Sequence, residues 1–483
     1  MPPVLSNLLH FVKKTLTLLL AACCWGTAYA QAPTYQFYYG NLHAHSSYSD
    51  GNQDAATSNA ATPAQDYSFA DASLHLDFLG ISDHNHALAG MQRPNYAKGL
   101  HQADSLTNAN FVALYGMEWG VISGGGHMLV YGVDQLLGWE AGNFDVFVAK
   151  SDYQSLFKQI NRRPGAFALF AHPQSGDYGN LAGTATFSPR ADSAVVGMPM
   201  RSGPATSTNI TYSNKSTSSY ESTYQRMLAK GYHVGIGFDH DNHNTTFGRT
   251  TPGRLVLLAP SLTKLDLMQA LRSRRFYASD DWNTEVTFTV NGQAMGTINQ
   301  GPGNAGVSVG VADSDNEAVR SITLMRGVPG NGVNAVAVST TAIGAAALTY
   351  TDINVPNSAY YYYAIIIQDD GDRIVTSPIW YSRGSVTAAS AAQELPPLDV
   401  FPNPVQGGAV TLSYGLPTAT RVTLEVLDNL GRTVSVLAQD EAQSAGPHAY
   451  TLPVSQLSLA PGLYTVRLVQ AAGTTYRKLL VAQ

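Results

Sequence analysis

Seven histidines and several carboxylates fall in short clusters spread widely along the chain. His43 and His45 stand two positions apart in YYGNLHAHSSYSDG, with Asp50 a few residues on. Asp83 and His84 share GISDHNH, Glu118 stands in YGMEWG, His127 in GGGHMLV and His172 in FAHP. Asp239, His240, Asp241 and His243 crowd GIGFDHDNHN. Neutral imidazoles and carboxylates are donors suited to Zn²⁺, Mn²⁺ or Fe. A carboxylate such as Glu118 can also bridge two ions held about 3.5–4 Å apart for two-metal hydrolysis. No cysteine accompanies these clusters, which disfavours a structural thiolate zinc site. The H-x-H pair lies beyond a predicted strand end and is expected to need a local turn to present both rings to one ion.

A lone histidine is ordinarily a surface or satisfied core residue, and His10, His75, His86, His101, His233 and His448 lack a convincing position as ligands. Asp50, in SDG, has a plain alternative as a turn residue. Asp83 is expected to orient a ligand rather than to be one. Arg249 in FGRT, and Arg201, are candidates to hold a substrate anion, beside the reading of both as solvated surface arginines. The chain contains no G-x-S-x-G or Ser-His-Asp signature, so a serine hydrolase is disfavoured. A Gly-rich phosphate loop ending in Lys-Ser/Thr is absent too, and Gly124–Gly126 reads as room for backbone beside the candidate ligands.

Something must bring these clusters together, and each lies at the end of a short apolar run. The runs are YQFYYGNL, LDFLGIS, FVALYGM, HMLVYGV, GAFALFA, HVGIGF and RLVLLA. Between them lie helical patterns such as YAKGLHQADSLT, YQSLFKQINRR, STYQRMLAK and TKLDLMQALRSRR. Strands alternating with helices predict parallel β/α units, and seven of them predict a TIM-like barrel over residues 31–284 whose strand ends open onto one face. Residues 174–217 carry little helical or strand pattern and read as a long surface excursion. From 285 to 383 the texture changes to period-2 runs such as EVTFTV and SITLMR, predicting a β-sandwich-like domain. Four tyrosines in a row at 360–363 are expected to alternate between core and surface of a strand. A linker is expected over 384–397 and a second β-sandwich over 398–483. The expected architecture is thus multidomain: a distorted (β/α)7 barrel followed by two all-β domains.

At 483 residues the chain is long enough for about three domains, and its charged residues, 13%, are scarce against a usual ~25%. A net charge of −6 with no basic run gives no nucleic-acid footprint. Lys13 and Lys14, the apolar run TLTLLLAACC and Ala28-Tyr29-Ala30 mark residues 1–30 as a secretory signal peptide, too short in its apolar core to span a membrane. LAAC offers the alternative of a lipoprotein with lipidated Cys23. Cleavage after Ala30 would remove Cys23 and Cys24, the only cysteines, so disulfides are not expected to stabilise the mature chain.

Two resemblances add to this reading. HAHSSYSDG, SDH, a Glu after the third run, GHMLVYG, AHP and DNHN…GRT resemble the successive motifs of the PHP (polymerase and histidinol phosphatase) superfamily, and most of all its carbaryl-hydrolase-like branch. That resemblance covers roughly residues 35–280 and implies a distorted (β/α)7 barrel holding two or three divalent metals (Zn, Mn or Fe). It implies a first ion on His43, His45, Glu118 and Asp241, a second on Glu118, His127 and His172, and a third on Asp50, His84 and His243. Glu118, Asp241 and Arg249 would carry the catalytic work. Asp241 with His243 fits the D-x-H motif, with Asp239 and His240 as the rival choice. The activity implied is metal-dependent hydrolysis of a small phosphoester, with carbamate, amide or ester hydrolysis as the alternative and a non-catalytic surface binding protein as a third reading. At the C-terminus, LDVFPNPV, RVTLEVLDNLGRTV, PGLYTVRLV and TYRKLLV resemble the sorting domain of the type IX secretion system, which implies that machinery as a partner and export to the cell surface or beyond.

Overall fold

The computed structural model describes residues 35–482 except 73–75, 164, 213–215, 354–356, 385–397, 407, 417, 429–431, 458 and 471–472. The expected signal peptide, Cys23, His10, His75 and nearly all of the expected linker lie outside the described residues. The chain divides into two compact units, Met1–Gly384 and Ser385–Gln483.

In the first unit the apolar runs form strands β1 (Gln36–Asn41), β2 (Phe78–His84), β3 (Val112–Val121), β4 (Gly126–Tyr131), β5 (Phe167–Ala171), β6 (Val195–Pro199), β7 (Gly235–Gly237), β8 (Arg254–Ala259) and β9 (Phe276–Ser279). The main helices are α1 (Pro63–Asp71), α2 (Arg93–Leu106), α3 (Tyr153–Asn161), α4 (Glu221–Ala229) and α5 (Lys264–Arg272). Helix α3 shows why they form. Asp152 caps the Ser155 N–H, and Tyr153, Leu156, Phe157 and Ile160 recur at helical spacing to make one buried face.

The expected (β/α)7 barrel is not the fold. Strand accounts for 42% and helix for 18%, and the strands join one large mixed sheet. Among these nine strands, β1–β2–β3 and β5–β6–β7 pair in parallel. Strand β4 runs antiparallel to both β3 and β5, and β8 runs antiparallel to β1 and β9. The reason at β3–β4 is chain length. Parallel neighbours need a crossover of a dozen or more residues, but β3 ends at Val121 and β4 begins at Gly126. A tight turn there, with Gly125 at φ +114° and Gly126 at φ +96°, leaves only a hairpin. Part of the expected surface excursion at 174–217 is also strand. All five residues of β6 are buried between β5 and β7, in a stretch (VVGMP) too short to stand out by periodicity.

Residues 285–383 do not separate from this unit. Strands β10 (Glu285–Val290), β11 (Ala305–Ala312) and β13 (Ala347–Asp352) build a second, smaller sheet. Strands β12 (Val319–Gly327), β14 (Ser358–Gln368), β15 (Arg373–Thr376) and β16 (Ile379–Arg383) extend the large one, with β15 paired to β9. Val286, Phe288, Val307 and Val309 pack against Ile322, Leu324, Tyr362 and Ile366 to give a two-layer arrangement. Tyr361, Tyr362 and Tyr363 are all buried, contrary to the expected core–surface alternation. Strand β14 lies between two cores: Tyr361 and Tyr363 enter one and Tyr362 the other.

The second unit contains β17 (Asp399–Phe401), β18 (Ala409–Leu416), β19 (Thr420–Leu427), β20 (Thr433–Gln443), β21 (Gly446–Pro453), β22 (Gly462–Gln470) and β23 (Gly473–Ala482). One sheet orders β17–β18–β21, and the other carries β23–β22–β19–β20. Alternate residues Val410, Leu412, Tyr414, Val422, Leu424, Val466 and Leu468 fill one core, as a period-2 pattern requires.

Candidate metal centre

The large sheet gathers the scattered motifs at one rim. His43 and His45 follow β1, His84 ends β2, and Glu118 lies in β3 directly beside His84 in the parallel register. His172 follows β5, and Asp239, Asp241 and His243 follow β7. His127 is different because it stands near the start of β4 rather than its end. In an all-parallel barrel that position would face the opposite rim. The reversed direction of β4 places His127 opposite Ala171, next to His172. The departure from the expected fold is therefore what completes the cluster.

His43 and His45 need no turn between them. Residues i and i+2 of an extended segment share a face, and here a bridge between Ala44 and Asn242, with the His45 N–H donating to the Asn242 carbonyl at 2.8 Å, holds the segment extended. The turn comes afterwards, where the Gly51 N–H donates to the Ser46 carbonyl. A Cβ at Gly51 would stand 2.2 Å from the His45 carbonyl oxygen.

Glu118 is the hub. Its Oε1 lies 3.1 Å from His43 Nε2, 2.9 Å from His127 Nδ1 and 3.1 Å from His172 Nε2. Its Oε2 lies 3.1 Å from His84 Nδ1 and 3.4 Å from His45 Nε2. Asp241 Oδ1 lies 3.1 Å from His43 Nε2 and 3.2 Å from His45 Nε2. Asp50 lies 3.6 Å from each of His45, His84 and His243. Four overlapping groups result: His43, His45 and Asp241; His43, Glu118 and His172; His84, Glu118 and His127; and His45, Asp50, His84 and His243. Within each, the ligand atoms lie within 4.8 Å of one another. All nine candidate ligands are thus brought together, with His45 and His84 more widely shared than the family resemblance implies.

These residues fit a metal centre. His43 Nε2, His84 Nδ1 and His127 Nδ1 are buried and have no hydrogen-bond partner among the described residues, although Glu118 oxygens stand about 3 Å away. Ligands at ~2.0–2.1 Å from a tetrahedral ion are themselves ~3.3 Å apart, so close approach without hydrogen bonding suits shared coordination. The electrostatics agree. Burial alone would raise Glu118, but His127, His43 and His84 hold it well below the usual carboxylate range. Burial likewise opposes ionisation of Asp241 and Asp50, yet the neighbouring imidazoles depress both. Burial pushes His84 down to about 3, whereas Asp50 and Asp241 outweigh burial at His243 and raise it to about 9. Three buried or half-buried carboxylates held ionised make the rim a strong attractor of positive charge.

Several supporting residues surround these ligands, and Asp83 is among them in the orienting position expected of it. Asp239 accepts at Oδ2 from His43 Nδ1 at 3.2 Å, the carboxylate–histidine arrangement that orients a ligand. Asn41 accepts from the N–H groups of both His43 and His240. His240, the rival for the last motif, turns away to the Gly253 carbonyl at 2.7 Å, and burial lowers it to about 3. Asp83 accepts from the Ser46 N–H and hydroxyl, the Ser49 hydroxyl and Tyr115 at 2.6–2.8 Å, fixing the turn after His45. Arg254, fully buried, donates to the carbonyls of Gly248, Thr251 and Gly253 and so braces the loop that follows His243. Backbone strain marks the rim as well, with His172 at φ +29° and Asp241 at φ +54°. A sequence signal existed for Asp239, which adjoins the last motif. None existed for Asn41, Tyr115 or Arg254, whose roles depend on pairing across 32 residues (Tyr115 to Asp83) or 199 (Asn41 to His240), or on loop shape.

The arginines divide. Arg201 is spent in a bidentate pair with Asp280 at 2.6 and 2.9 Å, so it does not offer the free guanidinium expected of an anion binder. Arg249 makes no side-chain hydrogen bond or ion pair among the described residues. Its backbone closes the turn from Thr246.

Residues 399–482 match the family described as the secretion system C-terminal sorting domain. The second unit is accordingly a type IX secretion sorting domain. It makes the secretion machinery a partner of this chain and the cell surface or extracellular space its destination. No curated protein matches the chain. Among solved structures, the fibronectin(III)-like modules of Clostridium thermocellum CbhA overlap at 13% identity and TM-score 0.17, covering 41% of this chain and 94% of theirs. Dimeric latent PorU from Porphyromonas gingivalis overlaps at 15% identity and TM-score 0.18, covering 42% of this chain and 20% of its own. An alpha-L-rhamnosidase of Streptomyces avermitilis complexed with L-rhamnose overlaps at 15% identity and TM-score 0.18, covering 40% and 24%. Overlaps of this extent carry nothing about the candidate centre. Among the described residues, no helix is long and apolar enough to cross a membrane.

Proposed function

We propose that this chain is an exported metal-dependent hydrolase, delivered behind an N-terminal signal peptide and acting on a small phosphoester through a two- or three-ion centre. The observation that carries this reading is the convergence of six imidazoles on the two oxygens of Glu118 and on Asp241 and Asp50. The motif resemblance to the PHP superfamily supports it, although the barrel which that resemblance implies is not the fold, so the reading rests on the cluster itself. Divalent ions bound there would supply Lewis acidity and lower the pKa of water towards neutrality. The chain's own groups do the rest. Glu118 reaches His43, His127 and His172 with one oxygen and His84 and His45 with the other, so it is the residue that would be shared between ions bound there. Asp239 fixes the His43 ring, and Asp83 fixes the turn that carries His45 and Asp50. Asp241 faces His43 and His45 and would hold an ion together with them, its carboxylate kept ionised by the neighbouring imidazoles. Arg249, with its guanidinium unengaged, is the cation available to a substrate anion.

The test is turnover by mature protein reconstituted with Zn²⁺ or Mn²⁺, assayed side by side on aryl phosphate mono- and diesters and an aryl carbamate. The reading predicts phosphoester turnover that chelator abolishes. Preference for the carbamate would move the proposal to carbonyl hydrolysis at the same centre. Full turnover by a His43→Ala, His45→Ala double variant would overturn it, and no turnover of any substrate would favour a binding protein.

A further inference from the structure

A cavity of about 270 Å³ opens beside the candidate centre, between the loop that follows His172 and helix α4. Its walls hang on the backbone of the centre itself. The Gln174 side-chain amide donates to the His172 carbonyl at 3.1 Å. The Tyr178 hydroxyl stands 3.0 Å from the His127 carbonyl and 2.8 Å from the Ala171 carbonyl. The cavity therefore adjoins the edge of the cluster formed by His127 and His172.

The loop is stiffly built. Tyr178, Gly179 and Asn180 take left-handed φ values of +57°, +68° and +63° in succession. L-residues enter that region rarely and then singly, so such a run persists only where the surroundings over-determine it. Tyr178 anchors one end of the loop. Lys230 anchors the other, its ammonium donating to the carbonyls of Leu181, Gly183 and Ala185 at 2.5–2.8 Å. Strain held in this way clusters at ligand clamps and active sites.

Size and charge say what the cavity suits. Its volume falls below the ~300–1,000 Å³ of a whole small-molecule site, so it fits one end of a substrate rather than all of it. Among the described residues, Arg226 is the one cation lining it. Its Nη2 donates to the Thr223 hydroxyl at 2.9 Å, and its other N–H groups have no partner among the described residues. The Ser175 hydroxyl, on the loop side, is likewise unpartnered there. Asp177, the one carboxylate lining the cavity, is turned to the backbone: it accepts the Gln174 N–H at 2.6 Å and lies against Gly126, where a Cβ would stand 2.6 Å from its Cγ. We propose that this cavity receives a carboxylate at the far end of the substrate, held by Arg226 and Ser175. The assignment rests on the hydrolase reading above and deepens it, with the phosphoester at the ions and the carboxylate a short chain away. Hydrogen bonds from a guanidinium to a carboxylate are charge-assisted and strong, and one free cation matches one negative charge rather than a second phosphate.

The test is calorimetric titration of the mature protein, loaded with Zn²⁺ or Mn²⁺, with two series of non-hydrolysable phosphonates of graded chain length. One series ends in a carboxylate and the other in a methyl group. The best-fitting carboxylated ligand should bind about tenfold or more tightly than its methyl counterpart. Arg226→Ala should erase that preference while leaving affinity for the methyl series within about twofold. Arg226 is exposed, so the variant tests the cavity without threatening the fold. Failure of the hydrolase reading would show separately, as an Arg226-dependent carboxylate preference in a protein that turns over no phosphoester. Equal binding of the two series at every length, or a carboxylate preference that survives Arg226→Ala, would overturn the assignment even in an active hydrolase.

Discussion

Replacing Asp83 by Asn asks whether this buried carboxylate orients the centre or binds metal itself. Asp83 Oδ1 accepts from the Ser46 N–H at 2.8 Å and the Ser49 hydroxyl at 2.6 Å; Oδ2 accepts from the Ser46 hydroxyl at 2.6 Å and Tyr115 at 2.7 Å. Asparagine keeps one carbonyl oxygen for the first pair and turns an amide N–H₂ towards the second. The two hydroxyls must then rotate to accept, and every bond loses its charged partner. A hydrogen bond to a charged group contributes ~1.5–3 kcal/mol and a neutral one about 1 kcal/mol. Taking the low end of that difference, about 0.5–0.75 kcal/mol for each of the four bonds, gives ~2–3 kcal/mol, or about 30- to 150-fold. The turn held by Asp83 carries His45 and Asp50, so the loss should appear in metal affinity. The assay is a competitive chelator titration of wild type and Asp83→Asn, with elemental analysis of both at saturating metal. Unchanged stoichiometry with weaker binding is expected. Loss of a whole ion at saturation would refute the reasoning by making Asp83 a ligand, and wild-type affinity would refute it by making the four bonds irrelevant to the centre.

Glu118→Gln keeps the shape but removes the charge shared by five imidazoles; it should lose at least one ion by elemental analysis and at least ~10³-fold in kcat/KM, about 4 kcal/mol. Arg249→Ala should raise KM about tenfold, near 1.4 kcal/mol, with kcat within about twofold, if its unengaged guanidinium meets the substrate anion; steady-state kinetics on an aryl phosphate checks this. Asp66→Asn concerns stability alone. Burial raises the Asp66 carboxyl well above its ordinary value, Oδ2 has no partner among the described residues, and Oδ1 accepts from Asn52 at 2.6 Å. The folded state therefore holds this proton more tightly than the unfolded chain, so stability falls as pH rises from about 3.9 through the raised folded value. The variant should flatten that fall in a series of Tm measurements from pH 4 to pH 8, whereas parallel curves would contradict the assignment.

Local chemistry was easier to read from the sequence than its arrangement. Apolar runs such as RLVLLA and the i, i+3, i+4 pattern of Tyr153, Leu156 and Phe157 mark elements because burial follows period. Strand direction has no such signature. The four residues between Val121 and Gly126 are the one local hint that β4 reverses, and β/α alternation elsewhere outweighed it. Strand β6 was illegible because five residues flanked by polar loops carry too little pattern. Tyr361 to Tyr363 misled because a strand buried on both faces does not show the polar half of the alternation. At the rim, histidine and carboxylate types could be read directly, as they are rare in apolar surroundings. Asn41, Tyr115 and Arg254 act through partners fixed only by the fold, and ordinary residue types gave no warning of them.

The central claim, that far-separated imidazoles and carboxylates hold several ions around Glu118, is tested most directly by elemental analysis of the mature protein beside its His43→Ala, His45→Ala variant. The account predicts two or more equivalents of Zn, Mn or Fe in the wild-type chain and a loss of at least one in the variant. A wild-type protein that retains no transition metal after incubation with excess Zn²⁺ and Mn²⁺ and desalting, or a variant that binds as much as its parent, would contradict it.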